Sequence, residues 1–428
     1  MLKTFSELLS FAERIFDLAR TELREKKKSF SDEKSWFDEN QFLIHGLAWL
    51  ATYVESLKQM IHWAYNLQNQ KKLTEFELTA LEVAFSEYIQ QIIHGIPLSQ
   101  TEFIRPQDFG IDPEHISSGF SKNISKTFEN QNYINKKKNR LVHLALEKEM
   151  SSTFEHTGLD HEYELIREQF NKYSNSRIRE NANSWHKNDE LIPLDVMSEL
   201  AKMGVFGLTV PETYDGLGLN KLAMCVVSEE LSRGYIGIGS LGTRTEIASE
   251  LILNEGTEDQ KRFWLPKIAS GKVIPAAVFT EPDHGSDLSS IKTIAKKEGA
   301  EYLVTGNKTW ITHASRSDLM IILARTNPDI LPKNRGLSIL LAPKTRGKSE
   351  SFFPDKNIAG TEIKVLGYRG MKEFEIRLEN FVVNGSGLLG GIEDLGFSQL
   401  MRTFETARIQ TAARSIGIAQ NALDLAIS

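Results

Sequence analysis

The chain has 428 residues, of which 25% are charged and 40% are hydrophobic, and its formal net charge is -6 at pH 7. Single hydrophobic cores stop growing at roughly 250 to 300 residues, so this length predicts several packed domains. The acidic balance argues against a nucleic-acid partner, and the single cysteine, Cys225, excludes an intramolecular disulfide. We therefore expect a cytoplasmic protein that binds no nucleic acid.

Residues 1–155 are predicted to form an N-terminal helical extension and a linker. Apolar residues recur there at alternating spacings of four and three, and they are Leu43, Leu47, Leu50, Val54, Leu57, Ile61 and Ala64. This spacing is typical of one buried helix face. Charged and polar side chains interrupt the same stretch, so no membrane-spanning segment is predicted. Gly95 and Pro97 end the helical pattern, and a long polar connection with one further helix near residues 141–149 is expected to follow.

The rest of the chain changes its hydrophobic period twice, which predicts an α+β fold. Residues 156–271 return to helical periodicity and are predicted to form a second helical domain. Residues 272–393 alternate with a period of two and contain no intervening helical pattern, so we expect a central antiparallel β domain. Residues 394–428 are helical again and stop at Ser428 without Gly, Pro or a polar tail. This ending predicts the incomplete first helix of a C-terminal helical domain.

Two segments carry the chemical signal, TEPDHGSD at residues 280–287 and GNKTWIT at residues 306–312. A turn at Gly285 allows backbone N–H groups to approach a polar or anionic ligand. In a regular strand Trp310 and Thr312 would share one face and present an aromatic ring beside a hydroxyl, which suits a flat heterocycle. The alternative is an ordinary turn and a tryptophan packed in the core.

Together these segments resemble the paired flavin-contacting motifs of the acyl-CoA dehydrogenase family, and the order of helical, sheet and helical domains is similar to that family's fold. The resemblance implies FAD as the cofactor. It places the cofactor contacts at Ala277, Val278, Phe279, Thr280, Gly285, Ser286, Trp310, Ile311 and Thr312. By the same resemblance Phe279 meets the isoalloxazine through its backbone, Thr280 does so through backbone and hydroxyl, and Ser286 also meets the acyl-CoA. His284 and Ala277 differ from the residues usual in the family.

Over its whole length the chain resembles one branch of that family, the methylsuccinyl-CoA dehydrogenases, which carry an extra helical region before the core. The segments HGLAWLATYVESLKQM, GNKTWITHA and VLGYRGMKEFEI carry this likeness. It implies a flavoprotein oxidoreductase that converts methylsuccinyl-CoA to mesaconyl-CoA. It also implies an electron-transferring flavoprotein as partner and a homo-oligomeric assembly without a membrane.

The resemblance implies that the α-proton is removed by a glutamate of the C-terminal helical domain beyond Ser428, so we expect no catalytic base in this chain. A minority of the family places the base at the position of Ala407, which cannot accept a proton. Glu405, two positions away, is a candidate base, but each helix position turns about 100°, so the favoured alternative is a CoA-facing or solvated carboxylate. Arg408 falls where the family contacts acyl-CoA or a neighbouring subunit, with an intersubunit or helix-surface ion pair as the alternative. Arg244 is the candidate for binding a distal carboxylate, with an ordinary surface arginine as the alternative.

Other functions remain open at the level of sequence. They are an acyl-CoA dehydrogenase of other specificity, a flavin oxidase or monooxygenase on the same fold, and a non-catalytic interaction protein. The histidines show no HExxH pattern, so no metal site is predicted. Cys225 is expected to be a packed small side chain, and Glu230 and Arg233 are expected to be solvated charges at a helix end.

Overall fold

The computed structural model describes residues 1–117, 130–147, 156–348 and 350–427. Contacts within the chain divide it into two compact units, one formed by Met1–Leu159 together with Ile427 and one formed by Asp160–Ala426. Part of the predicted polar connection, at 118–129 and 148–155, lies outside the described residues.

The first unit is helical. Its helices are Leu2–Lys28, Glu33–Glu39, Gln41–Asn69, Glu75–His94, Pro113–Ser117 and Gln131–Glu147, and a short antiparallel ribbon pairs β1 (Ile96–Pro97) with β2 (Phe103–Ile104). Of the predicted stripe, Leu50, Val54, Leu57, Ile61 and Ala64 are buried and the other two members pack partly buried against the same core. The predicted helix face is therefore confirmed.

Local chemistry sets the ends of helix Glu75–His94. The helix begins at a capping box, in which the Thr74 side chain accepts from the helix backbone while the Thr74 N–H donates to the Glu77 carboxylate at 2.9 Å. It ends at Gly95, whose φ of +138° is accessible to glycine and rarely to other residues.

The second unit starts with helices, one of which is mostly buried. They are His161–Tyr173, Glu180–Lys187, Leu194–Lys202, Lys221–Gly234, Ile236–Glu255 and Glu258–Ala269. Helix Ile236–Glu255 is buried along most of its length. Its small residues permit close packing, since a Cβ at Gly239 would collide with the Ser232 side chain. This helix carries Arg244.

A seven-stranded sheet follows. Its strands are β3 (Pro275–Val278), β4 (Ile294–Glu298), β5 (Glu301–Thr312), β6 (Leu319–Arg325), β7 (Leu337–Pro343), β8 (Ile358–Ile363) and β9 (Glu373–Asn384). The order is β3-β6-β4-β5-β9-β8, with β7 paired to β6. The long pairs β4/β5, β5/β9, β6/β7 and β8/β9 are antiparallel.

The prediction of a purely antiparallel sheet is wrong on one side of the sheet. There β3 pairs with β6 in parallel, and a single parallel bridge joins β4 to β6. Parallel neighbours require a long crossover, usually a helix. Here the chain between β3 and β6 carries β4 and β5, so the crossover is made of strands and leaves no helical pattern in the sequence. The predicted α+β fold class is confirmed.

Helix Gly396–Ile427 ends the described chain. Arg233 donates to both carboxylate oxygens of Asp424 on this helix, at 2.7 and 2.9 Å. Glu230 is buried and accepts from the Asn171 side-chain amide at 2.8 Å. The expectation that Glu230 and Arg233 are solvated is therefore wrong, because both lie where helices pack against each other. Within the described ranges, no helix is both long enough and apolar enough to cross a membrane.

Candidate active site

The first motif is fixed by a buried carboxylate. After β3 the chain turns at Glu281, which exchanges two backbone hydrogen bonds with His284 at 3.1 and 3.0 Å. The Glu281 carboxylate accepts from the N–H of Lys292 at 2.7 Å, the N–H of Thr293 at 2.8 Å and the Thr293 hydroxyl at 2.5 Å. Burial alone would raise the pKa of Glu281, and Lys308 together with these donors outweighs it and lowers the pKa. Glu281 is therefore held as a carboxylate.

Lys308 ties the second motif to the first. Its ammonium donates to Glu281 at 3.0 Å and to the carbonyls of Phe279 and Leu323 at 2.9 Å, and its side chain is 0% exposed. The Thr309 N–H donates to the Thr280 carbonyl at 3.0 Å. The two predicted segments are therefore adjacent in space. The structural roles of Glu281 and Lys308 were missed by sequence reasoning, which treated them only as members of the motifs.

The outer side of the first motif is open. Gly285 and Ser286 are exposed, and a Cβ built on Gly285 would meet no atom within 4 Å. Among the residues that the structure describes, no hydrogen bond is made by the half-buried hydroxyl of Thr280. Val278 and Phe279 are buried, and Ala277 is partly buried in β3. Backbone and hydroxyl groups, not large side chains, are thus available at this turn.

The second motif does not keep the regular alternation expected of it. The register of β5 against β9 shifts between Lys308 and Ile311, and Trp310 has a left-handed φ of +57°. As a result Trp310 is 57% exposed, whereas Ile311 and Thr312 are 1% and 6% exposed. The prediction that Trp310 and Thr312 share a strand face is wrong, because a β-bulge inserts one residue and reverses the alternation.

Thr312 links Arg244 to a buried acid. Arg244 Nη2 donates to Thr312 Oγ1 at 2.9 Å, and the Thr312 hydroxyl donates to Glu373 Oε2 at 3.0 Å. Burial raises the pKa of Glu373, and the Thr312 hydroxyl and the charge of Arg244 offset this only in part. Sequence reasoning found Arg244 and missed Glu373. The signal for Glu373 is its pairing with Thr312 across β5 and β9, which the sequence does not give.

Two further side chains, Tyr368 and Arg414, were not predicted: Tyr368 contacts Arg244, and Arg414 contacts Tyr368. Tyr368 lies in the loop before β9, with its hydroxyl 3.4 Å from Arg244 Nη2. Arg414, on helix Gly396–Ile427, places Nη1 at 3.3 Å from the same hydroxyl. The loop and the last helix are separated from Arg244 by more than a hundred residues of sequence, so only the folded chain brings the three together.

The remaining predicted residues lie apart from this network. Glu405 and Arg408 are exposed on helix Gly396–Ile427, and Arg408 lies with its guanidinium carbon 5.9 Å from the centre of the Phe404 ring. In the described part of the chain, neither Glu405 nor Arg408 hydrogen-bonds to the two motifs. Ala407 is buried. The described residues also contain no group of three or more His, Cys, Asp or Glu that could hold a metal ion.

These features fit a flat heterocyclic cofactor. Trp310 offers an exposed aromatic face, Thr280 offers a hydroxyl with no other described partner, and Gly285 leaves room for close approach of the backbone. An aromatic ring, hydrogen-bonding groups and an accessible backbone are the elements by which proteins hold such rings. The internal ion pair of Lys308 and Glu281 holds the two motifs that carry these groups next to each other.

Two family models match the second unit. Residues 160–272 match the acyl-CoA dehydrogenase N-terminal domain, and residues 276–381 match the acyl-CoA dehydrogenase middle domain. The chain is 50% identical over 426 residues to a (2S)-methylsuccinyl-CoA dehydrogenase of Cereibacter sphaeroides, a match that covers 99% of this chain and 77% of that protein. The chain belongs to the acyl-CoA dehydrogenase family.

Other relatives match a smaller share of the chain. The mitochondrial isovaleryl-CoA dehydrogenase of Pongo abelii is 32% identical over 270 residues, and the match covers 62% of each chain. A glutaryl-CoA dehydrogenase from Mycobacterium smegmatis, solved in complex with FADH2, is 25% identical with a TM-score of 0.54, and the match covers 61% of this chain and 64% of that one. The chain thus spans less than two thirds of the length of these two relatives.

Proposed function

We propose that this protein binds FAD and catalyses the α,β-dehydrogenation of an acyl-CoA thioester, with methylsuccinyl-CoA as substrate and mesaconyl-CoA as product. Family membership supports the reaction class, and the 50% identity to a methylsuccinyl-CoA dehydrogenase supports the substrate. The observation that carries the substrate assignment is the 2.9 Å contact between Arg244 and Thr312. A guanidinium beside a residue of the proposed flavin site supports a substrate with a distal carboxylate, because a buried carboxylate needs a cationic partner.

The cofactor would be held by Trp310 against one face of its ring system and by the backbone and hydroxyl of Thr280 at its edge. Gly285 and Ser286 would approach its polar part and the acyl-CoA. FAD supplies the acceptor for the hydride that leaves the β-carbon of the substrate. The site residues bind, orient and exclude water, because a developing thioester enolate is stabilised by preorganised donors in a dry site.

Removal of the α-proton needs a carboxylate in reach of the substrate. Ala407 stands at the minority position of the family and cannot hold a proton, and Glu405 is exposed. Glu373 is tied to the Thr312 hydroxyl and acts in our proposal as its orienting partner. We therefore assign the base to the C-terminal helical domain of the family and to none of the described carboxylates.

Electron-transferring flavoprotein is the proposed electron acceptor, and a homo-oligomer is the proposed assembly. Both follow from family likeness. The exposed Arg408 is proposed to contact acyl-CoA or a neighbouring subunit.

The test uses the purified chain loaded with FAD. We expect a yellow protein whose flavin absorbance shifts on addition of methylsuccinyl-CoA more strongly than on addition of isovaleryl-CoA. After chemical reduction, the flavin should reoxidise slowly in air and rapidly with electron-transferring flavoprotein. Fast reoxidation by oxygen would instead support an oxidase or monooxygenase, and failure to bind flavin would support a non-catalytic interaction protein.

A further inference from the structure

The first unit exposes aromatic side chains where two of its helices meet. In helix Glu33–Glu39 Trp36 is buried, and each helix position turns by about 100°, so its neighbour Phe37 points away from the core and is 44% exposed. Phe42, in the first turn of helix Gln41–Asn69, is 40% exposed. Large apolar side chains that are exposed together usually mark an interaction site.

Phe37 and Phe42 line one groove of about 550 Å³. Leu98, which follows β1, adds a further apolar side chain to its lining. Two carboxylates, those of Asp38 and Glu102, also line the groove, and both residues are exposed. The groove therefore combines apolar walls with negative charge.

The negative charge of the groove is not balanced by nearby basic groups. Over the residues that the structure describes, neither groove carboxylate pairs with a lysine, arginine or histidine within 4.0 Å. The Lys27 ammonium lies 5.7 Å from the centre of the Phe37 ring, but it is paired with Glu33 at 2.5 Å. His45 lines the groove and accepts at Nε2 from the Trp49 indole N–H at 2.9 Å, and a nitrogen that accepts carries no proton. An occupant with basic and apolar side chains would complement this surface.

Side chains of that kind are exposed on helix Gln131–Glu147 of the same unit. Val142 and Leu146 are four positions apart, so they share one side of the helix, and both are more than half exposed. Lys136, near the start of this helix, is exposed and pairs with no carboxylate in the described part of the chain. The helix therefore presents apolar side chains together with an unpaired ammonium.

This exposed side of the helix does not reach the groove of its own copy. The opposite side is fixed on helix Glu75–His94, where the buried Glu82 accepts from the Tyr133 hydroxyl at 2.8 Å and pairs with Lys137 at 2.5 Å. Among the described residues, none that lines the groove belongs to helix Gln131–Glu147. The complementary occupant is therefore this helix in another copy of the chain.

We propose that the groove binds helix Gln131–Glu147 of a second copy of this chain. Val142 of the second copy packs against Phe42, and its Lys136 pairs with one of the two groove carboxylates. Each copy carries both surfaces, so the contact occurs twice in a closed dimer or repeats in a larger assembly. The contact is independent of the proposed function, and its absence would leave the flavin and substrate assignments unaffected.

Carbodiimide cross-linking of the purified chain tests the contact, because this reagent joins a carboxylate to an ammonium only where the two touch. Unlabelled and nitrogen-15-labelled copies are mixed until native mass spectrometry shows that they have exchanged. We expect a link from Lys136 to Asp38 or Glu102 in which one peptide is labelled and the other is not. The link should persist in the double variant Asp38→Lys, Lys136→Asp, in which the two charges have changed places.

Two substitutions that leave the reacting groups in place measure the apolar contact. Phe42→Ser and Val142→Ser should each lower the yield of the mixed link about tenfold. Both side chains are exposed, so the melting temperature should stay that of the parent. Tyr65→Ser is the matched control and should not change the yield, since Tyr65 is an exposed aromatic of the same helix roughly 35 Å from Phe42 along the helix axis.

A link found only between peptides of the same isotope would place both groups in one copy and overturn the inference. Absence of the link among copies that have exchanged would mean that the groove serves another partner or none, and would overturn it as well. An unchanged yield in Phe42→Ser and Val142→Ser, or an equal loss in Tyr65→Ser, would have the same meaning. If Phe42→Ser alone lowers the melting temperature, the yield of Val142→Ser decides.

Discussion

Lys308 Nζ lies 3.0 Å from Glu281 Oε1, and both side chains are buried, so an internal ion pair joins the two segments of the candidate flavin site. The same ammonium also satisfies the carbonyl of Phe279. Strand β4 and the first part of β5 lie between the two segments in the sequence. The ion pair fixes the distance between the segments before any ligand binds.

We predict that Lys308→Met destabilises the protein by about 3 to 5 kcal/mol, because it leaves the Glu281 carboxylate buried and unpaired. Urea denaturation followed by tryptophan fluorescence measures the change. Lys308→Met combined with Glu281→Gln should recover part of the loss. Lys296→Met, which removes an exposed pair with Glu298, is the control and should change stability by less than about 1 kcal/mol. A Lys308→Met variant as stable as this control would contradict the prediction.

We predict that Trp310→Ala and Thr312→Ala weaken the retention of FAD, each by about 1 to 3 kcal/mol, since one removes an aromatic face and the other a hydrogen-bonding group. Flavin content after gel filtration and the dissociation constant by fluorescence measure this. The controls are Trp49→Ala, an exposed tryptophan of the first unit, and Thr305→Ala, an exposed threonine of β5. Unchanged flavin content in both site variants would refute the assignment of this motif.

We predict that Gly285→Ala leaves the stability of the apoprotein unchanged and weakens FAD binding. The new Cβ meets no protein atom within 4 Å, so any effect has to come from what approaches the turn from outside. Thermal melting without FAD and titration with FAD measure the two effects separately. Equal affinity in the variant and the parent would show that the cofactor does not approach the turn at Gly285.

We predict that His313 makes the protein sensitive to acid. Burial lowers the pKa of His313 to about 3, whereas an unfolded histidine titrates near 6.5. Below about pH 6.5 the unfolded chain takes up a proton that the folded chain refuses, so stability falls as the pH decreases toward 3, by at most about 1.4 kcal/mol per pH unit. His313→Asn, chosen because asparagine tolerates the left-handed φ of +62° at this residue, should reduce that slope.

The measurement for His313 is the free energy of unfolding between pH 7 and pH 4, compared with the exposed His161→Asn as control. Identical slopes in the parent and His313→Asn would mean that His313 is protonated in the folded chain.

Patterns within one segment could be predicted from the sequence, and relations between segments could not. The stripe from Leu50 to Ala64 and the alternation of Phe374, Ile376 and Leu378 are local periodicities, and the structure places both sets in cores. The bulge at Trp310 depends on how β5 registers with β9. A bulge leaves no mark on composition, so regular alternation was the natural expectation and was wrong.

In the candidate site, too, a local pattern could be predicted from the sequence and contacts between distant segments could not. Arg244 stood out as a basic residue in a run of small and apolar ones. Tyr368, which contacts Arg244, comes from a loop, and Arg414, which contacts Tyr368, comes from the last helix. Only tertiary packing brings these side chains together. Glu230 was misjudged for a related reason, because a charged residue near a helix end is usually solvated, but here it is covered by packing with Asn171.

The left-handed backbone at Trp310 has a consequence for how this position can vary. A tryptophan pays roughly 1 to 2 kcal/mol for that conformation relative to glycine. A glycine at 310 would relieve the strain and at the same time remove the aromatic face that the proposed flavin needs. Selection for thermal stability and selection for cofactor retention therefore act in opposite directions on this single residue. In a library of this protein selected for thermal stability, we expect variants at position 310 that have a higher melting temperature and retain less flavin.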